Sequence, residues 1–266
     1  MDTGIPQFLV DEQRAGALLL AALAEDVVFH HPLLIESVRG REHAIRFWAE
    51  LDGLAGPVVF THEFRGDGVS VLAWRATFKR IFQGVNIASW TNGRITELRQ
   101  LLRPLPVVKP LRDALKARLV DRLPATLWEL PPGIDKTPPP FDPDEIVDAK
   151  LPLPTTEDIT FHSPVFSRHA AGEALVKRVI GHAAAIYGGR TYGPRLMAGP
   201  QALTQWAGRV AGLPIHAANL STFDERGRMR ELSLFMGPLP TVELFFDQLR
   251  PRLETFLDRS YFVEYE

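Results

Sequence analysis

The chain of 266 residues contains no cysteine. That absence excludes a disulfide scaffold, a thiolate zinc site and cysteine catalysis, and it fits a reducing, cytoplasmic setting. No apolar run reaches the roughly 18 residues that a membrane-spanning helix needs. The opening Met-Asp-Thr-Gly-Ile-Pro lacks the basic-then-apolar profile of a signal peptide. Excess charge is lacking too: 30 basic residues face 32 acidic ones, a net of −2. Binders of nucleic acid or of membrane surfaces are usually basic, so neither partner is expected. Glycine-rich nucleotide motifs and a serine-nucleophile motif are missing. His43, His62 and His216 do not form a ligand spacing, so no metal and no cofactor are expected.

What is present is a repeat. Glu25-Asp26-Val27-Val28-Phe29-His30-His31-Pro32 reads almost as Glu157-Asp158-Ile159-Thr160-Phe161-His162-Ser163-Pro164, at an offset of 132. Gly40 then matches Gly172, Arg46 matches Arg178, Trp74 matches Trp206 and Ser89 matches Ser221. After residue 91 the offset is 134: Gly93-Arg94-Ile95-Thr96-Glu97-Leu98 matches Gly227-Arg228-Met229-Arg230-Glu231-Leu232. The two extra residues are assigned to the turn at Asn92-Gly93, where insertions are best tolerated. A constant offset over so many positions points to internal duplication. The expected division is a first domain over 1–123, a proline-rich linker over 124–154 and a second domain over 155–266. The linker holds nine of the 22 prolines and reads as semi-rigid extended chain. Its 144–150 end is a candidate remnant of a helix.

Within one copy, the Leu- and Ala-rich stretch 12–24 predicts a helix. A short strand is expected over 27–31, and Ala44, Ile45, Trp48 and Leu51 mark a helix over 41–54. Strands follow over 57–64, 69–80, 82–90 and 95–102, with Asp67-Gly68 and Asn92-Gly93 as turns. Leu111, Leu115 and Leu119 share one face of a closing helix. In the second copy, Gly199-Pro200 is expected to interrupt a strand and Gly188-Gly189 to lie in a loop. The order predicts an α+β fold: a strongly bent antiparallel sheet with helices covering one face.

These residues carry a resemblance. Asp26 to Pro32 with Arg39-Gly40-Arg41, then Asn92 to Leu98, then Arg103-Pro104-Leu105, resemble the nuclear transport factor 2-like superfamily, in particular its SnoaL-like branch. Asp158 to Pro164, Gly172 and 224–238 repeat them. The resemblance implies two cystatin-like cones. It also implies that their convex sheet faces pack together as an intramolecular pseudo-dimer, in a chain that is a monomer or a weak homodimer. Relatives include ketosteroid isomerases and cyclases that move a proton next to a carbonyl, and also non-enzymatic binding modules. The isomerases place their base carboxylate before the proline that ends the first strand. Here His31 stands there, and Ser163 in the second copy; the carboxylate is absent from both. The position of the isomerases' proton-donating acid falls near Asn219, and in the first copy at Ile87 with Asn86 beside it. Their tyrosine has no counterpart over 12–24.

Two readings stay open. One is a small apolar ligand held in the cone of the first domain, with Trp74, Phe78, Phe29 and Trp48 as lining and Trp206, Ser163 and Asn219 as the second cone's equivalents. The other is an isomerase, cyclase or dehydratase with His31 as base and Asn86 polarising the carbonyl oxygen. His30 and His162, shared by both copies, read as structural groups that hold the strand exit.

Overall fold

The computed structural model describes residues 15–119, 121, 123–142, 147–149, 151 and 153–263. The first half runs α1 (Ala15–Ala21), β1 (Leu23–His30), β2 (Val38–Arg39), α2 (Arg41–Ala55), β3 (Val59–Gly66), β4 (Val69–Phe78), β5 (Arg80–Thr91), β6 (Arg94–Arg103) and α3 (Leu105–Leu119). After a short 3₁₀ turn over Ala125–Trp128 the same kinds of element follow in nearly the same order: β7 (Thr155–His162), β8 (Ala170–Ala171), α4 (Glu173–Ala184), β9 (Gly188–Ala198), β10 (Gln201–Val210), β11 (Leu213–Phe223), β12 (Met229–Gly237) and α5 (Leu239–Leu253). Each half is an α+β cone, with helices in the concavity of a curved sheet of antiparallel hairpins. β1 and β7 add to their sheets parallel to β6 and β12.

The helices form for the expected reasons. Ala44, Phe47, Trp48, Leu51 and Ala55 put one buried stripe on α2. Gly40, at φ +106°, supplies the backbone turn into it, and Gly172 at +93° does the same for α4. Four expectations differ. β1 begins at Leu23 because Leu23, Val27 and Phe29 are buried against the core, which overrides the helical preference of the Leu/Ala stretch; residues 12–14 lie outside the described residues. Gly199-Pro200 turns the β9–β10 hairpin instead of interrupting a strand, and Gly188-Gly189 opens β9. The 144–150 segment is described only at 147–149, which is not helical.

Strand register also relocates the repeat's insertion. Phe78 and Arg80 pair across Lys79 alone, whereas Val210 and Leu213 pair across Ala211 and Gly212. One extra residue therefore sits in this hairpin, and only the other in the turn near 91–94. As a result Asn219 corresponds to Asn86, not to Ile87.

β4 is buried on both faces. Leu72, Trp74 and Ala76 enter the cone's core, while Val71 and Ala73 face the other way. Those outward residues join Phe64, Val85, Ile87 and Leu101, and from the second half Leu196, Leu203, Ala218 and Phe235, in a separate apolar cluster. The strands of both halves form one twelve-stranded sheet, joined where Met236 pairs with Leu102, its own counterpart. Reciprocal amide bonds tie Leu105 to the Pro164 carbonyl at 2.6 Å and Leu239 to the Pro32 carbonyl at 2.8 Å. An Arg112–Glu243 ion pair of 2.6 Å bridges α3 and α5.

The proline-rich stretch is pinned at several of its described residues. Arg252 donates to the carbonyls of Pro139 and Pro140, both at 3.0 Å. The Leu127 carbonyl accepts from the Ile35 amide at 2.8 Å, and the Trp128 ring is buried. Prolines lack an N–H, so such a segment offers acceptors, and donors on both halves use them.

Trp74 pairs across the ladder with Gly84, and a Cβ at Gly84 would fall within the indole. Gly84→Ala is therefore expected to destabilise the chain by about 1–3 kcal/mol. The midpoint of urea denaturation measures this; an unchanged midpoint would show that the ring is free to move aside.

Candidate functional site

His30 ends β1 and His31 follows it directly. His31 is 3% exposed, with the Phe47 ring centroid 4.3 Å away edge-on and Trp128 at 6.0 Å. Its Nδ1 accepts from the Leu33 amide at 3.1 Å, so the ring hydrogen is on Nε2. Nε2 is buried and without a partner. Burial, reinforced by the charge of His43, pushes the imidazole pKa down to about 3. The side chain is thus a neutral donor. Its one basic nitrogen is already occupied, and its conjugate acid is too strong for a useful base near neutrality.

Ser163 performs the same backbone task in the second half, its Oγ accepting from the Val165 amide at 3.3 Å. Position 31 and its counterpart therefore share a turn-capping role. His30 and His162 share another: His30 Nε2 lies 2.9 Å from Glu97 Oε1, and His162 Nε2 lies 3.0 Å from Glu231 Oε1. Arg99 adds a 3.1 Å bond to Glu97, whose pKa is held at about 2 chiefly by the His30 hydrogen bond.

Asn86 does not face His31 across a cavity. Its Oδ1 accepts from Trp74 Nε1 at 3.1 Å and from Gln100 Nε2 at 3.0 Å. The first of these bonds recurs between Trp206 Nε1 and Asn219 Oδ1 at 3.2 Å. Asn86 and Asn219 thus fix the two tryptophans. Trp74 packs edge-on against Trp48 at 5.5 Å and Phe82 at 5.6 Å, and Phe29 against Phe47 at 5.7 Å. These rings fill the first cone's interior, and Phe78 packs at its half-buried margin. In the second cone Trp206 meets Tyr187 at 4.9 Å, and Tyr187 stacks on Phe245 at 4.8 Å.

Open space lies instead at the cone's mouth. A cavity of about 380 Å³ is bordered by His31, Leu34, Ile35, Gln100 and Leu101, and across the junction by Pro214, His216 and Pro238 of the second half. Gln100 is 1% exposed, and its Oε1 has no partner. His31 and Gln100, each with one buried unpaired polar atom, thus border one cavity of mixed wall, in which Leu34, Leu101, Pro214 and Pro238 are apolar and His30, Glu36, Ser37 and Arg99 polar. His216 stands at the rim, its pKa lowered to about 4 by burial and then by Arg99 and His30. His31 also borders a smaller cavity of about 260 Å³ with Phe47, Leu119 and Leu123. Sequence reasoning missed Gln100. The available signal was its place opposite Asn86 on the hairpin set by the Asn92-Gly93 turn. Among the described residues no cluster of His, Asp or Glu is arranged to hold a metal, and no helix is long and apolar enough to cross a membrane.

His31 gives the stability a pH signature. The unfolded chain takes up a proton near the ordinary pKa of 6.5, and the folded chain resists it down to about 3. Between those values the unfolded state binds more protons, so stability falls as pH falls. His31→Asn, which keeps an acceptor for the Leu33 amide, should lose this component. The gap between wild type and variant in denaturation midpoint is expected to change steadily from pH 6.5 downward. A constant gap would mean that His31 is not buried as a neutral group.

Neither a family model nor a curated protein matches the sequence. Solved structures are similar in fold. A steroid delta-isomerase from Pseudomonas aeruginosa is 18% identical, with a TM-score of 0.37 over 38% of this chain and 76% of that one. A protein with a cystatin-like fold from Silicibacter pomeroyi is 24% identical, with a TM-score of 0.37 over 38% of this chain and 72% of its own. An NTF2-like protein of unknown function from Burkholderia pseudomallei is 17% identical, with a TM-score of 0.33 over 42% of this chain and 97% of its own.

Proposed function

We propose that the protein is a non-catalytic binding module. It holds a small, mainly apolar molecule bearing one hydroxyl group in the cavity between β1, β6 and the second half's Pro238 turn. The observation that carries this reading is the presence of His31 Nε2–H and Gln100 Oε1 on one cavity's lining residues: both atoms are buried and unpartnered, and both residues border that cavity. A hydroxyl accepts from one and donates to the other, and buried polar groups left unpaired are costly. The site lies at the mouth of the first cone, whose interior is occupied by Trp74, Trp48 and Phe82. Proton transfer by His31 in an isomerase, cyclase or dehydratase is disfavoured. It would require breaking the Nδ1 bond to Leu33 and protonating a ring that burial keeps neutral.

The same reading treats 1–123 and 155–266 as two domains that form an intramolecular pseudo-dimer, with 124–154 as a strap between them. Its support is the apolar cluster shared by both halves and the reciprocal bonds at Leu105 and Leu239. The working unit is then one chain, free in the cytoplasm, with a small molecule as its partner.

Phenol and anisole test the site, because anisole cannot donate. Each hydrogen bond contributes about 0.5–1.5 kcal/mol net, so phenol should bind roughly tenfold more tightly in an NMR titration. Gln100→Leu should remove that preference, whereas His31→Leu should weaken both probes alike, because both oxygens accept. Equal binding of the two probes, or a preference that survives Gln100→Leu, would overturn the assignment. Enolisation of a ketone by the wild type that His31→Leu abolishes would favour the enzymatic reading instead.

A further inference from the structure

The second half builds a counterpart of the His31 cavity on the other side of the junction, with a volume of about 290 Å³. His162 and Ser163 take the places of His30 and His31, Phe166 that of Leu34, and Pro104 that of Pro238. One exchange alters its chemistry. The residue before Pro238 is Gly237; the residue before Pro104 is Arg103. The turn itself does not call for an arginine, since glycine makes it in the other half.

Arg103 is 9% exposed. Its Nη1 donates to the His162 carbonyl at 2.9 Å, and its guanidinium lies 5.7 Å from the centre of the Phe235 ring. Nε is buried and without a partner. Glu231, the carboxylate in its field, is held by His162 at 3.0 Å and forms no ion pair with Arg103. Burial lowers the Arg103 pKa to about 10, which leaves it charged at neutral pH. Arg168 brings a second guanidinium to the same cavity, 4.7 Å from the Tyr261 ring, with Nη1 donating to Ser260 Oγ at 2.9 Å. His162 and His169, whose rings are 5.7 Å apart, border it too. Phe166 supplies an apolar wall, and Ile81, 61% exposed, an apolar lip.

We propose that this cavity is a second binding site, specific for a small carboxylate with an apolar body, whose carboxylate is held by Arg103. A buried cation with no bonded carboxylate is a strong reason for an anion to enter. With Nη1 used on the carbonyl, the Nε edge of the planar fork is left for a carboxylate, the geometry guanidinium groups favour. Phe166 and Ile81 then cover the body of the ligand. This site differs from the His31 cavity in selectivity: the one takes a neutral hydroxyl compound, the other an anion.

The probe is 4-bromobenzoate, with 4-bromobenzyl alcohol as its uncharged control. Crystals soaked with the acid should show bromine anomalous density in the Arg103 cavity; density elsewhere only, or none, overturns the proposal. By titration calorimetry the acid should bind at least tenfold more tightly than the alcohol. Arg103→Met, which keeps length and apolar contact, should remove that preference, and His31→Leu should leave it intact. A preference unchanged in Arg103→Met overturns the proposal even if the His31 site is correct. Should Arg103→Met not fold, the soaked wild-type crystal decides alone.

Discussion

The structure depends on a twelve-stranded curved sheet whose two halves contribute residues to one shared apolar cluster. Each cone uses one face of its long strands for its own core and must cover the other. Val71, Ala73, Val85 and Leu101 are covered by Leu203, Ala218 and Phe235 of the opposite half. Strands buried on both faces lose the apolar–polar alternation of a solvated sheet, and β4 accordingly reads as a nearly continuous apolar run from Val71 to Trp74. Neither half could expose that face without presenting a large apolar patch to water. The same docking brings the exit of each first strand against the proline turn of the other half, and both cavities are made there.

Paired polar brackets steady this junction. His30 with Glu97, and His162 with Glu231, join the first strand of each cone to its last strand. His31 and Ser163 cap the next turn through one backbone amide each. Either an imidazole or a hydroxyl satisfies that amide. The position was thus free to differ between halves, and only the histidine leaves a second polar atom over.

The sequence made much of this legible. Periodic burial marked α2 and the hairpins, and the shared His-x-Pro strand exits marked the repeat. The start of β1 was not legible, because Leu23 lies in a stretch whose composition favours helix while its burial demands strand. The insertion was misplaced because Ser89 and Ser221 coincide at the earlier offset; only the pairing of Phe78 with Arg80, against Val210 with Leu213, shows the extra residue between them. The site was half legible. Position 31 stood out from its place before Pro32, but Asn86 proved to serve Trp74, and the group that borders the cavity with His31 is its cross-strand neighbour Gln100. Which of two adjacent amides reaches open space is set by the curl of the sheet and by contacts from the other half, neither of which is local in sequence.

Arg103 and Gly237 occupy equivalent turns of one polypeptide. In a dimer of identical chains, a codon that places arginine in one cavity places it in both, and two cations then have to be accommodated for one gain. Joining the halves removes that coupling. Each cavity is encoded on its own, so one can acquire charge while the other keeps a glycine, a histidine and a glutamine. The linkage matters here less for holding the halves together, which the shared apolar cluster already does, than for letting a symmetric scaffold carry an asymmetric pair of cavities.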